Sequence, residues 1–156
     1  MSAAVKELIM FDGRLPKYGM IWVVAAALIN PDGKVLVQKR GANRSMAGLW
    51  EFPGGKVEPN ERPENALVRE LDEELGIRVI PDDLTPLSFA SAPLGEKHLL
   101  LMLYVCRKWL GVPAALDAEA IQWWSINALH DLEMPPADVP LIKALLAYEL
   151  AAPSQS

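Results

Sequence analysis

Cysteine and histidine are scarce: the 156 residues hold one cysteine, Cys106, and two histidines. A lone cysteine excludes an internal disulfide, and its place in an apolar run marks it as core. His98 and His130 stand far apart with no Cys or His partner at zinc-ligand spacing, which argues against a zinc site. Long apolar runs are missing as well. The longest, Met20 to Ile29, is too short to span a bilayer, and the N-terminus has no basic region followed by an apolar segment and a small-residue cleavage site. Positive charge is in deficit, with a net charge of -5 and a pI near 5.0. The Lys and Arg residues are scattered, so there is no electrostatic footprint for gripping a nucleic-acid polymer. No internal repeat is visible. These absences lead to the expectation of a soluble, cytoplasmic protein, monomeric or weakly dimeric, with neither membrane nor nucleic-acid polymer as partner. A polyanionic small substrate stays open if metal ions carry the positive charge.

What is present is enough apolar material, 51% of the residues, for one packed domain over 1–156. Residues 1–19 form a lead segment whose packing is left open, and 151–156 read as a frayed end. Ile21 to Ile29 is β-branched and apolar. Asn30-Pro31-Asp32-Gly33 then signals a turn before the alternating Lys34 to Lys39, and together these predict a hairpin. From Arg40 to Glu51 the periodicity lapses, and Gly41, Asn43, Ser45 and Gly48 mark a loop into Phe52-Pro53-Gly54-Gly55. Paired glycines there let backbone approach a metal or a phosphate.

Pro63 at a helix start and Gly76 just past a helix end predict a helix over Pro63 to Leu75, with Leu67, Val68, Leu71 and Leu75 as its core stripe. Arg62 is a poor N-cap. Ile77–Ile80, His98–Arg107 and Ile121–Ser125 read as further strands. A last helix from near Asp138 turns Leu141, Ile142, Leu145, Leu146 and Leu150 toward the core. Strands flanked by two helices imply an α/β fold, a mixed sheet with helices on its faces.

The most informative stretch runs from Gly55 to Ile77. Glu70, Glu73 and Glu74 stand at i, i+3 and i+4, within one helix arc about 100° wide. Like charges so placed repel unless a cation sits among them. Mg²⁺ prefers such oxygen ligands and takes one or two carboxylates together with substrate phosphates. A solvated acidic face is the bland reading of a Glu run, but it explains neither the flanking glycines nor Glu61.

Gly55, five residues, Glu61, seven residues, then Arg69-Glu70-Leu71-Asp72-Glu73-Glu74-Leu75-Gly76-Ile77 resembles the Nudix box at every fixed position. Agreement at nine such positions arises by chance roughly once in 10⁹ windows. The resemblance implies an α/β/α sandwich and hydrolysis of a nucleoside diphosphate linked to another moiety, commonly a nucleoside triphosphate cut to a monophosphate and pyrophosphate. It also implies Mg²⁺, with Mn²⁺ as a substitute. Glu70, Glu73 and Glu74 match the family's metal ligands, and the Gly54 carbonyl matches a backbone ligand beside them. The general base comes from this cluster or from a loop acid; Glu70 is favoured as base or as orienter of the attacking water. Arg69 and Glu61 match positions that brace loop and helix, while Gly55 and Gly76 are structural. Lys56 and Glu58 stand where phosphate or metal is within reach. A further ligand comes from Asp117, favoured by counting back from Trp123, or from Glu119, favoured by residue type.

Beyond the box, Gly48 to Glu58 and Pro135 to Ile142 are similar to the MutT branch, the 8-oxo-dGTP diphosphatases that clean the nucleotide pool for DNA replication and repair, and to relatives acting on cytidine nucleotides. In that branch the position of Phe52 lines the base pocket and that of Arg40 contacts the nucleotide. Asp138 falls where the branch uses Asn. An ionised Asp only accepts hydrogen bonds. It is compatible with the N1–H and N2–H₂ donors of guanine or 8-oxoguanine and with the N4 amino group of cytosine. Its bland role is a helix N-cap. The implied reaction is therefore hydrolysis of 8-oxo-dGTP, or alternatively of CTP, dCTP or a modified cytidine nucleotide. A nucleotide-sensing module without turnover is the rival from another class; such a module is expected to lose box glutamates, and all are kept here.

Overall fold

In the computed structural model the chain is described over residues 19–152. The lead segment through 18 and residues 153–156 lie outside the described residues, and with them most of the two terminal expectations. Among the described residues there are seven strands: β1 (Met20–Leu28), β2 (Lys34–Lys39), β3 (Trp50–Glu51), β4 (Gly54–Lys56), β5 (Thr85–Leu94), β6 (Lys97–Cys106) and β7 (Ala120–Ser125). Two α-helices accompany them among these residues, α1 (Pro63–Leu75) and α2 (Val139–Ala151). The strands form a four-stranded sheet in the order β4-β1-β6-β5 and a three-stranded sheet in the order β3-β2-β7. The larger sheet is mixed, because β1 runs parallel to β6 from Met20↔His98 to Leu28↔Cys106 while its other pairings are antiparallel.

Alternation along β1 makes the layers. Val24, Ala26 and Leu28 pack with Ala66, Leu67, Leu71 and Leu75 of α1. Ala25 and Ala27 point the other way, into a cluster with Leu141, Ile142 and Leu145 of α2. One strand thus feeds both cores, as period-2 alternation requires when each face is covered, and the result is a helix–sheet–helix sandwich. Cys106 is buried in the α1-side core, as its apolar run predicts.

Helix α1 has the boundaries that its end signals predict. Arg62 makes no side-chain cap hydrogen bond, so Pro63, which needs no N–H partner, carries the start; Gly76 ends the helix in the left-handed region at φ 69°. Its N–H donates to the Asp72 carbonyl at 2.9 Å.

Several expectations need correction. The Asn30 turn forms, with Asn30 Oδ1 accepting from the N–H groups of Asp32 and Lys34. The hairpin does not. Both edges of β1 are already paired, with β4 and β6, so β2 diverges into the smaller sheet and only the isolated Ile29↔Val35 bridge joins the two runs. Ile77–Ile80 is no strand: Arg78 alone pairs, with Leu110, before Pro81 opens a 3-10 turn. Conversely, the sequence expectations include no strand over β5, which carries Pro86 and Pro93. An edge tolerates proline, and β5 is an edge with β6 as its partner and a register shift between Pro86 and Ser88. Leu150 is exposed rather than turned to the core, and Ala151 still belongs to α2. No helix among the described residues is long and apolar enough to cross a membrane.

Candidate active site

Helix α1, strand β4 and the end of β2 meet at the three glutamates. Arg69 is the hub on one side. Its Nε and Nη2 donate to the two carboxylate oxygens of Glu61 at 2.9 Å each, a fork-to-fork pair. Its Nη1 donates to Glu70 at 2.9 Å and its Nη2 to the Lys56 carbonyl at 3.2 Å. The Glu58 N–H also donates to Glu61. Those bonds hold the Glu61 carboxyl down to about pH 2, the guanidinium first and the backbone N–H second, and they raise the Arg69 pKa in return. The loop after β4 is thereby hydrogen-bonded to α1 through Glu61 and Arg69. The Lys56 side chain is exposed, and its carbonyl serves the clamp.

The three glutamates differ in setting. Glu73 is exposed and lies 3.5 Å from Arg69. Glu70 is mostly covered and folds over the backbone of Gly55; burial raises its pKa against the pull of Arg69. Glu74 is the deepest, at 8% exposure. Its Oε2 accepts from the Gly54 N–H at 3.1 Å and from Gln38 Nε2 at 3.2 Å. Even so, its pKa is pushed up to about 8, chiefly by burial and next by the charge of Glu70. Gly54 itself allows no side chain, since a Cβ there would stand 1.9 Å from the Val24 carbonyl oxygen across the β1–β4 pair.

Gln38 has no counterpart among the sequence-predicted residues. The signal for it is slight: in Val35-Leu36-Val37-Gln38 an amide stands two residues beyond a core leucine, on the same face of the strand.

A second cluster lies between the smaller sheet and α2. Arg40 Nη1 donates to Glu51 at 2.7 Å, and its Nε and Nη2 donate to the Ser45 carbonyl and hydroxyl. The Arg40 and Gly48 backbones close this loop on itself. Trp50 N–H donates to the Glu133 carbonyl, which draws the segment before α2 against β3. Asp138 is 5% exposed. It occupies the helix N-cap position without a side-chain cap bond. Burial, and then the charge of Glu51, push its pKa up to about 7, against the Phe52 N–H and Arg40. Ionised-only behaviour, the basis of the sequence reading, therefore gives way to a carboxyl that holds its proton for part of the time near neutrality. Phe52 is buried in the α2-side core. Glu51, which shapes both Arg40 and Asp138, was not singled out by sequence.

Asp117 pairs with Arg44 at 2.6 Å, with both side chains about half exposed. Glu119 lies 4.0 Å from Lys39. Neither contacts the glutamate trio through a hydrogen bond. Among the described residues no three acidic, His or Cys side chains converge in a metal-holding group. The donor chemistry nevertheless fits a hard divalent cation: burial raises the pKa of both Glu70 and Glu74, Arg69 bonds only Glu70, Glu74 has no cationic partner among the described residues, and oxygen is the sole ligand type on offer.

The NUDIX domain family model matches residues 20–145. The CTP pyrophosphohydrolase of Escherichia coli K12 is 37% identical over 131 residues, covering 84% of this chain and 96% of that one. The 8-oxo-dGTP diphosphatase of the same organism is 33% identical over 123 residues, covering 78% and 94%. Among solved structures, the E. coli ORF135 protein superposes with a TM-score of 0.76 at 38% identity, covering 87% of this chain and 95% of that one. A MutT structure described for Aliivibrio salmonicida and Vibrio cholerae gives 0.70 at 31%, covering 83% and 98%.

Proposed function

The chain belongs to the NUDIX family, and on that premise we propose that it hydrolyses a nucleoside triphosphate to the monophosphate and pyrophosphate, with Mg²⁺ held by Glu70, Glu73 and Glu74. The observation that carries this reading is the graded trio on α1, one carboxylate exposed, one partly covered and one buried against Gly54. Hydrolases of this family use divalent cations. When bound, the metal neutralises phosphate oxygens and lowers the pKa of the attacking water. The remaining work falls to the chain. Arg69 and Glu61 fix the helix that bears the ligands. Gly54 and Gly55 bring backbone close enough for Glu74 and Glu70 to fold inward. Glu70 serves in this proposal as base or water orienter, and one of its oxygens is not engaged by Arg69. Asp117 or Glu119 would join as an additional ligand after the loop before β7 shifts, because each is now engaged elsewhere.

The nucleobase is read, in this proposal, by Arg40, Phe52 and Asp138, with Lys56 near the phosphates. The 8-oxo-dGTP reading rests on the MutT-like flanks. It gains support from Asp138, whose carboxyl near neutrality can offer both a donor and an acceptor, as an amide does. The second reading, a cytidine nucleotide, is favoured by the 37% identity to the CTP pyrophosphohydrolase. The setting proposed for either is the cytoplasmic nucleotide pool. Comparing kcat/KM for 8-oxo-dGTP, dGTP, CTP and dCTP, with released pyrophosphate and phosphate measured separately, tests substrate and cleavage position together. A clear preference for dCTP or CTP would overturn the first reading, and no pyrophosphate from any of the four would overturn both.

A further inference from the structure

Gln38 stands in the middle strand of the smaller sheet, paired with Glu51 of β3 on one edge and Ile121 of β7 on the other. Its backbone is therefore committed to the sheet, and only its side chain is left to explain. Two residues before it, Leu36 packs into the α1-side core. Period-2 alternation sends Gln38 to that same face, where an aliphatic side chain would pack without any polar cost.

An amide is found there instead, 5% exposed. Its Nε2 donates to Glu74 Oε2 at 3.2 Å. Its Oε1 has no hydrogen-bond partner and is the one such buried side-chain atom among the described residues. A buried acceptor left without a partner works against folding. Packing therefore does not account for the residue, whereas its one bond goes to the most buried of the three box carboxylates.

Glu74 Oε2 receives two donors, Gln38 Nε2 and the Gly54 N–H. One is side chain and one is backbone, and they come from different strands. Both bonds fall on the same oxygen, so the carboxylate cannot rotate without losing them, and Oε1 is left as the atom free to meet a ligand. From this geometry we infer that Gln38 is a positioning residue for the metal site, fixing the rotamer of Glu74 so that a single oxygen faces the cation. The inference rests on the proposed metal-dependent function. It goes beyond the box, because Gln38 lies 17 residues before Gly55 on a strand that carries none of its positions.

The test measures Mn²⁺ binding to the metal-free chain, without nucleotide, by the loss of free-ion EPR signal. Gln38→Met keeps the length and removes both polar atoms. It is expected to weaken Mn²⁺ binding about tenfold or more, the usual effect of removing a partner that orients a ligand. Thermal unfolding in EDTA should show it within a few degrees of the wild type, since loss of the bond to Glu74 is offset by removal of the orphaned acceptor. In a Glu74→Gln background, Gln38→Met should bring no further loss of Mn²⁺ affinity, which a general structural role would not produce. With saturating metal, kcat should fall while the nucleotide KM stays within about twofold. Should Gln38→Met fail to fold, Gln38→Asn, an amide one methylene too short to reach Glu74, takes its place with the same expectation. Wild-type Mn²⁺ affinity in the variant, or an equal loss in the Glu74→Gln background, overturns the role of Gln38 alone. Absence of Mn²⁺ binding by the wild type overturns the metal reading and this inference with it.

Discussion

The Glu70 carboxylate occupies the space that a side chain at Gly55 would need: a Cβ there would lie 2.3 Å from Glu70 Cδ. The obstructing atoms are the far end of a flexible side chain, so Gly55→Ala should fold while ejecting Glu70 from its place. Its melting temperature is expected within a few degrees of the wild type, with kcat down by about two orders of magnitude. Gly54→Ala meets backbone instead, the Val24 carbonyl at 1.9 Å. It should lose about 3 kcal/mol or more in urea unfolding, as severe overpacking does. Two adjacent glycines thus separate into one needed for activity and one needed for stability.

Replacing Glu73 or Glu74 by Gln removes a charge while keeping shape. Turnover at saturating Mg²⁺ is expected to fall by about 10²-fold or more, and chelation of metal from the wild type should abolish it. Near-wild-type kcat in either variant would falsify the metal assignment.

The clamp between Glu61 and Arg69 carries a pH signature. The Glu61 carboxyl lies at about 2 in the fold against 4.5 as its ordinary value. A depressed carboxyl pKa means that the unfolded chain binds the proton more tightly. The clamp's contribution is therefore complete above about pH 4.5 and is lost as the pH falls toward 2. Glu61→Gln should be less stable than the wild type at pH 7 and should lose less on acidification through that window. Parallel acid unfolding curves for the two proteins would contradict the clamp.

Asp138 behaves in the opposite sense. Its carboxyl is raised from 3.8 to about 7 by burial and by Glu51. The folded chain binds that proton more tightly than the unfolded one, so stability declines as the pH rises from about 4 to about 7. Asp138→Asn removes the buried charge and keeps the shape. It should flatten that slope and gain on the order of a few kcal/mol at pH 8. If the carboxyl reads the base, wild-type KM for the preferred nucleotide should rise between pH 6 and 8, whereas that of the Asn variant should stay level. A KM that changes equally in both would remove Asp138 from base reading.

Local signals made the box helix legible. Pro63, Gly76 and the apolar stripe all lie within one segment, and each acts on its own neighbours. The roles of Arg69 and Glu61 as a brace came from the family resemblance, and the bidentate pair is consistent with it. Pairing was less legible, because it depends on which edges are already taken. The Asn30 turn reads as a hairpin from sequence, yet β6 arrives from 69 residues after Leu28, beginning at Lys97, to claim the edge that β2 would need. Proline hid β5 for a related reason: whether proline is tolerated turns on a strand's being at an edge, a fact of the assembled sheet. Burial of single polar groups was the least legible. Gln38 carries only a slight signal in the sequence, and Asp138 is legible there as a base contact or N-cap but not as a buried acid, because burial of both depends on the assembled elements.

Strand β2 reaches both clusters. Gln38 touches Glu74 in the glutamate trio, and Arg40, just past the strand, grips Glu51 in the second cluster. Two residues of extended backbone separate them by about 7 Å, and an extended chain hardly stretches. If Arg40 reads the base and Glu74 holds the metal, as proposed, the strand would tie the two together stiffly. A nucleobase that displaces Arg40 should drag on Glu74 as well, so poorly fitting nucleotides are expected to turn over slowly even when bound at saturation. Discrimination would then be written in kcat as much as in KM.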